Sequence, residues 1–207
     1  MTNSAQQRVV GVAGAIGCTG RLPRVRVVTP ETMRAMSCDP LNPAESMIRN
    51  QDGSGDLLVT GKVGDGTLIH ELTHHLLKTS PVATVYPHPG SDVDGHGPVF
   101  AAACWSLLGR AQLPLPDGPG DYDLGRRLRP RDRPASQEEE RWARRWVARS
   151  VFITESAESL AAAAICDYRR WWWWRQIREV LVVPARLILV LFLSWVVVAS
   201  LASLARL

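Results

Sequence analysis

Apolar residues in this chain recur with two different periods, and the period predicts the element. Over Thr67–Lys78 (TLIHELTHHLLK) they fall at Leu68, Leu72 and Leu76, with Ile69 and Leu77 beside them, which is the stripe of a half-buried helix. Val25–Thr29 (VRVVT) clusters β-branched residues and reads as a strand, and Leu57–Thr60 (LLVT) reads as a second. Pro30-Glu31-Thr32-Met33 opens a short helix, with Thr29 as cap and Pro30 at the first helical position. Val99–Leu108 (VFAAACWSLL) forms another helix, with Gly109 as its stop. Residues 39–56 and 80–98 are rich in Pro, Asn, Asp, Gly and Ser, and read as loops. Val9–Ile16 is a short apolar run after Arg8, expected to be a first strand or helix of the same domain. Ala15-Ile16-Gly17-Cys18 loosely matches a lipoprotein cleavage box, but the run is short and its charged flank weak, so no leader is expected there.

Beyond residue 112 the pattern changes. Residues 113–135 are dominated by Pro, Gly, Asp and Arg, which is a linker by composition. Ser136-Gln137-Glu138-Glu139 offers a capping box, and 137–168 suits one or two helices. Leu187 to Ala205 carries no charge and as a helix would be ~28 Å long, close to the hydrocarbon thickness of a bilayer. Upstream stand Arg169-Arg170-Trp171-Trp172-Trp173-Trp174-Arg175. Tryptophan favours the membrane interface and arginine the headgroups. The apolar run extends back through Val180–Val183 if Arg186 snorkels. Arg169, Arg170, Arg175, Arg178 and Arg186 flank one side, against Arg206 alone on the other. The positive-inside rule therefore expects a single-pass, tail-anchored membrane protein whose preceding domain is cytoplasmic. The expected organisation is a domain at 1–112, a linker at 113–135, a helical segment at 136–168, and an interfacial segment with transmembrane anchor at 169–207.

Composition adds limits. A chain of 207 residues suits one domain with appendages, and its 46% hydrophobic content is inflated by the apolar tail. The net charge of +4 is mild, and the excess of Arg over Lys reads as coding bias. Cys18, Cys38, Cys104 and Cys166 are scattered without a C-x-x-C pair. That excludes a zinc ribbon and does not suggest a disulfide framework. The basic residues lie mostly outside the domain, so nucleic acid is not an expected partner.

The candidate chemistry lies in IHELTHHLLKT. His70, Glu71 and His74 form H-E-x-x-H. Residues four apart on a helix sit one turn apart and ~40° around the axis, so two imidazoles can converge on one tetrahedral Zn²⁺. Glu71 is placed to reach a water in the ion's open position. His75 is rotated about 100° beyond His74 and is expected to pack or be solvated. Catalytic zinc takes a third protein ligand. The candidates downstream are His88, Asp92, Asp94 and His96. Of these His96 is the best placed, because His96-Gly97-Pro98 would hold it at the entrance to a helix, with Gly97 allowing close approach and Pro98 at the first position.

HELTHH followed by HGPVF resembles the SprT-like (Spartan-type) zinc metallopeptidase domain, and also a group of small metallohydrolases with the same two segments. The resemblance covers roughly residues 57–108. It implies an α+β, zincin-like fold with a small sheet beside the active-site helix, zinc on His70, His74 and His96, and Glu71 as catalytic acid/base. The chain lacks the cysteine-rich ribbon and DNA-binding tail of the better-known members, so their substrate, protein crosslinked to DNA, is not carried over. The expected function is membrane-tethered, zinc-dependent hydrolysis of a protein or peptide; Tyr86 and His75 are expected to be structural, with an oxyanion partner as the alternative role for each. The alternative is a membrane-anchored binding or regulatory module with a non-catalytic zinc site.

Overall fold

Three successive apolar side chains, Leu57, Leu58 and Val59, mark the centre of the fold, in a computed structural model that describes residues 2–36, 46–49, 55–60, 63–82, 96–114, 136–150 and 155–204. They form β3 (Asp56–Val59), and all three are buried. Side chains alternate across a strand, so burial of all three means that both faces of the sheet are covered. β1 (Arg24–Val27) pairs parallel with β3, Val25 beside Leu57. β2 (Ser46–Arg49) pairs antiparallel on the other side, giving the order β1-β3-β2. A parallel pair cannot be closed by a tight turn. Here the chain between β1 and β3 passes through α2 (Pro30–Met36) and β2.

Helices supply the layers. α1 (Thr2–Ala15) packs on β1 and on α3 (Asp65–Thr79), and α3 also packs on β2. The N-terminal apolar run is thus a helix of the domain core, with Val9, Val12, Ala13 and Ile16 buried. α4 (Pro98–Arg110) lies between α3 and α5 (Gln137–Ser150), and every residue from Pro98 to Leu108 is buried. A helix apolar all round must be covered all round. α6 (Ala157–Leu204) begins within the same compact unit, Met1–Tyr168; a second unit is Arg169–Leu207. The residues of 136–168 therefore share a core with the preceding domain. Most of the expected linker, 115–135, lies outside the described residues.

Local signals account for several boundaries. Thr29 Oγ1 accepts a hydrogen bond from the Thr32 N–H at 3.2 Å, capping α2. The capping box of α5 is reciprocal: the Ser136 N–H donates to Glu139 Oε2 at 2.7 Å, and the Glu139 N–H donates to Ser136 Oγ at 3.3 Å. Two expectations need correction. Residues 39–56, expected to be a loop, contain β2 and the first residue of β3. Turn-forming composition around Ser46–Arg49 hides a strand whose stability comes from the exposed edge of β3. Gly109 does not stop α4. The helix runs to Arg110, and the left-handed residue after it is Gln112 (φ 55°), with the Leu113 N–H reaching the Leu108 carbonyl at 3.0 Å.

The chain after α1 is clasped to the start of α6. Gly17 takes the left-handed conformation (φ 76°) and the Cys18 N–H closes on the Ala13 carbonyl at 2.8 Å. Glu158 then accepts hydrogen bonds from the Thr19 and Gly20 N–H groups, at 3.1 and 2.8 Å. A Cβ on Gly20 would stand 3.0 Å from Glu158 Oε1, so this approach favours glycine. Arg110 Nη1 adds a donor to the Glu155 carbonyl at 2.8 Å. Within the second unit α6 is one apolar helix, long enough to span a membrane, with Leu187–Leu193 and Trp195 exposed.

Candidate metal centre

α3 delivers the first two histidines. Leu68, Ile69, Leu72, Leu76 and Leu77 bury its apolar side, and Asp65 in its first turn is bound to Arg8 of α1 at 2.7 Å. With that side committed, His70 and His74 fall at its border, half-buried. His96 arrives from the turn before α4, also half-buried. Pro98 occupies a first-turn position of α4 and Gly97 the cap. Gly97 has φ −68° and ψ −178°, a conformation open to any residue, so its backbone freedom is not what the site requires.

The three rings meet edge to edge. His96 Nε2 lies 3.0 Å from His70 Nε2 and 3.3 Å from His74 Nε2. All three ligand atoms lie within 4.8 Å of one another, so the group could hold a metal ion. Two nitrogens bound tetrahedrally to zinc at 2.0–2.1 Å are about 3.3 Å apart, so the spacing fits. A neutral imidazole carries one N–H, so three Nε2 atoms facing one another cannot all be satisfied by hydrogen bonds among themselves, whereas one cation satisfies all three lone pairs. Burial, with the neighbouring His96, pushes His70 from 6.5 down to about 3. Burial, with His70, His96 and Lys78, takes His74 to about 2. Both rings are therefore neutral near physiological pH, the form that donates to a metal.

Phe100 is the residue that sequence reasoning missed. Its ring touches all three imidazoles, with centroids 4.8 Å from His70, 4.3 Å from His74 and 5.0 Å from His96. It stacks on His74, with the planes 28° apart. The available signal was its place four residues after His96, one turn along α4. The apolar ring walls one side of the group and limits solvent there.

Glu71 is buried, next to His70 on α3. Its charge reaches Cys104, a fully buried thiol of α4. Burial raises that thiol to about 12, a hydrogen bond with Thr73 opposes the rise, and Glu71 adds to it. Cys104 is thus an inert packing thiol. His75 turns away from the group: its ring is buried and its Nε2 lies 2.9 Å from the Arg21 carbonyl, to which it donates. It packs, as one of the two expectations held, and ties α3 to the segment before β1. The other ligand candidates, His88, Asp92 and Asp94, and the candidate oxyanion partner Tyr86, lie outside the described residues.

Compared with models of known protein families, with curated proteins and with solved structures, the chain matches none.

Proposed function

We propose that the chain is a membrane-tethered, zinc-dependent hydrolase acting on peptide bonds. The observation that carries this reading is the approach of the His96 ring nitrogen to those of His70 and His74, at 3.0 and 3.3 Å, with Glu71 adjacent. A structural site would need the three imidazoles but not the carboxylate. The HELTHH and HGPVF segments, with their SprT-like resemblance, point the same way.

Zinc held by His70, His74 and His96 would supply Lewis acidity and make a water acidic enough to react near neutral pH. Glu71 takes the proton of the attacking water and returns it to the leaving amine. Its place on α3 beside His70 suits this role. Phe100 holds the imidazoles against one apolar wall, which helps to orient them. The apolar reach of α6 supports a membrane anchor, and the arginine excess before it favours a cytoplasmic side for the preceding domain.

The test pairs metal analysis with hydrolysis of a peptide library by the full chain in detergent. Wild type is expected to carry about one zinc and to cleave in a chelator-sensitive manner. Glu71→Gln is expected to keep the zinc and lose at least ~100-fold in rate, the usual contribution of a general base. Zinc bound without cleavage in wild type would reject catalysis and leave a binding module.

A further inference from the structure

The part of α6 before its uncharged stretch is two-sided. At ~100° per residue, Trp173, Ile177, Val180 and Leu181 fall within about 100° of one another around the axis. All four are exposed, by 54%, 43%, 68% and 62%. Arg175 and Arg178 fall about 60° apart on the opposite side, with Trp171 and Val182 between them around the axis. Glu179 stands beside them, bound to Arg175 at 3.0 Å, so the charges of this stretch gather on one side and its exposed stripe on the other.

Length makes this arrangement hard to reconcile with a straight crossing. Leu187–Leu204 alone measures ~27 Å, close to a hydrocarbon core of about 30 Å. On a straight helix along the membrane normal, Trp173 would then stand roughly 20 Å outside that core. The headgroup layer is only about 5–8 Å deep on each side. The exposed Trp173–Leu181 stripe would face water. Between the two stretches lies Pro184, inside the helix. Proline has no N–H for the carbonyl of Val180, and its ring crowds that carbonyl, so helices bend at such a position.

We propose that residues 171–183 form an amphipathic segment lying in the headgroup layer of an anionic bilayer, apolar stripe inward and arginines at the lipid phosphates, with Pro184 as the bend that leads into the crossing span. The lipid phosphate is the partner because guanidinium pairs bidentately with it, and Arg175 and Arg178 stand opposite the apolar stripe, with Arg169, Arg170 and Arg186 at the two ends of the segment. Apolar surface and charge then meet the layers of the bilayer that suit each. This inference does not depend on the hydrolase reading.

The test uses the full chain in phosphatidylcholine vesicles with and without phosphatidylserine. Single cysteines replace each residue from Trp173 to Leu181 in a Cys166→Ser background, carry a spin label, and are scored for contact with oxygen against a water-soluble nickel complex. A parent without an introduced cysteine corrects for labelling of the native thiols. Oxygen contact should rise and fall with a helical period, high at 173, 177, 180 and 181 and low at 175 and 178. A steady gradient without period would mean a tilted crossing, and uniform nickel contact would mean a segment held in water; either overturns the proposal. Arg175→Gln with Arg178→Gln should reduce the amplitude several-fold in phosphatidylserine vesicles. An amplitude the same with and without phosphatidylserine in the labelled series that keeps Arg175 and Arg178 would reject the anionic lipid as partner. Pro184→Ala should flatten the oscillation, and an unchanged profile would remove Pro184 from its assigned role.

Discussion

His96→Ala gives the sharpest prediction, because His96 is the hub of the histidine group: its Nε2 is the atom 3.0 and 3.3 Å from the other two. Without it, His70 and His74 remain as an i, i+4 pair on α3, with two open positions to be filled by water. A ligand that binds only the folded chain stabilises it by RT ln(1 + [L]/Kd), about 2.7 kcal/mol at a hundred times Kd. For a compact unit the size of Met1–Tyr168, 1 kcal/mol moves the melting temperature by about 2–4 °C. Zinc at that excess should therefore raise the wild-type Tm by about 5–10 °C, and a chelator should reverse the rise. In His96→Ala most of that shift should vanish. The metal-free Tm should change little, since His96 is half-buried and lies in the turn before α4. The assay is a pair of thermal melts, with zinc and with chelator, supported by cobalt titration followed through its visible absorption. A His96→Ala chain that keeps the full zinc-dependent rise would refute the three-histidine site. A chain whose metal-free Tm collapses would show that His96 serves packing first.

Other outcomes follow from the packing around the site. Tyr168→Phe removes the buried hydroxyl that donates to Glu139 Oε1 at 2.8 Å, and should cost about 1–3 kcal/mol in denaturant melts, the range for leaving a buried acceptor without its donor. Gln112→Gly should stabilise the chain by about 0.5–1 kcal/mol, because Gln112 holds a left-handed conformation (φ 55°) that glycine adopts without strain. Loss of stability in that variant would show that the Gln112 side chain contributes more than its backbone strain. Burial tends to raise the Glu158 carboxyl, but hydrogen bonds from the Gly20 N–H, its own N–H, Ser156 and the Thr19 N–H outweigh it and hold it below its usual 4.5. A carboxyl lowered in the folded state stabilises above its unfolded value and loses that contribution as pH falls through the folded one. Glu158→Gln should therefore be less stable than wild type at neutral pH, with the gap closing in acid. A gap independent of pH would show that the clasp does not depend on the charge.

Local features were legible because their causes are local. The spacing of His70 and His74 follows from helix geometry alone, and the apolar stripe beside them predicted α3 to within two residues at its start and one at its end. Thr29, Ser136 and Glu139 could be read as caps because a cap needs only the backbone next to it. β2 could not be read, because a short strand in turn-rich sequence is held by β3, which the chain reaches only later. Gly109 misled because glycine marks where a helix can end, while packing of α4 decides where it does.

What the sequence alone determined is therefore a set of neighbourhoods: two imidazoles a turn apart with a carboxylate between them, a third at the mouth of a helix, and an uncharged stretch long enough to cross a membrane. Only the tertiary structure decided that His96 meets His74 across 22 residues of chain, that Phe100 touches all three rings, and that His75 faces the opposite way to Arg21. The reason is physical. Periodicity places residues about one axis, but the meeting of two axes depends on how α3 and α4 bury their apolar surfaces together, and that depends on every side chain between them.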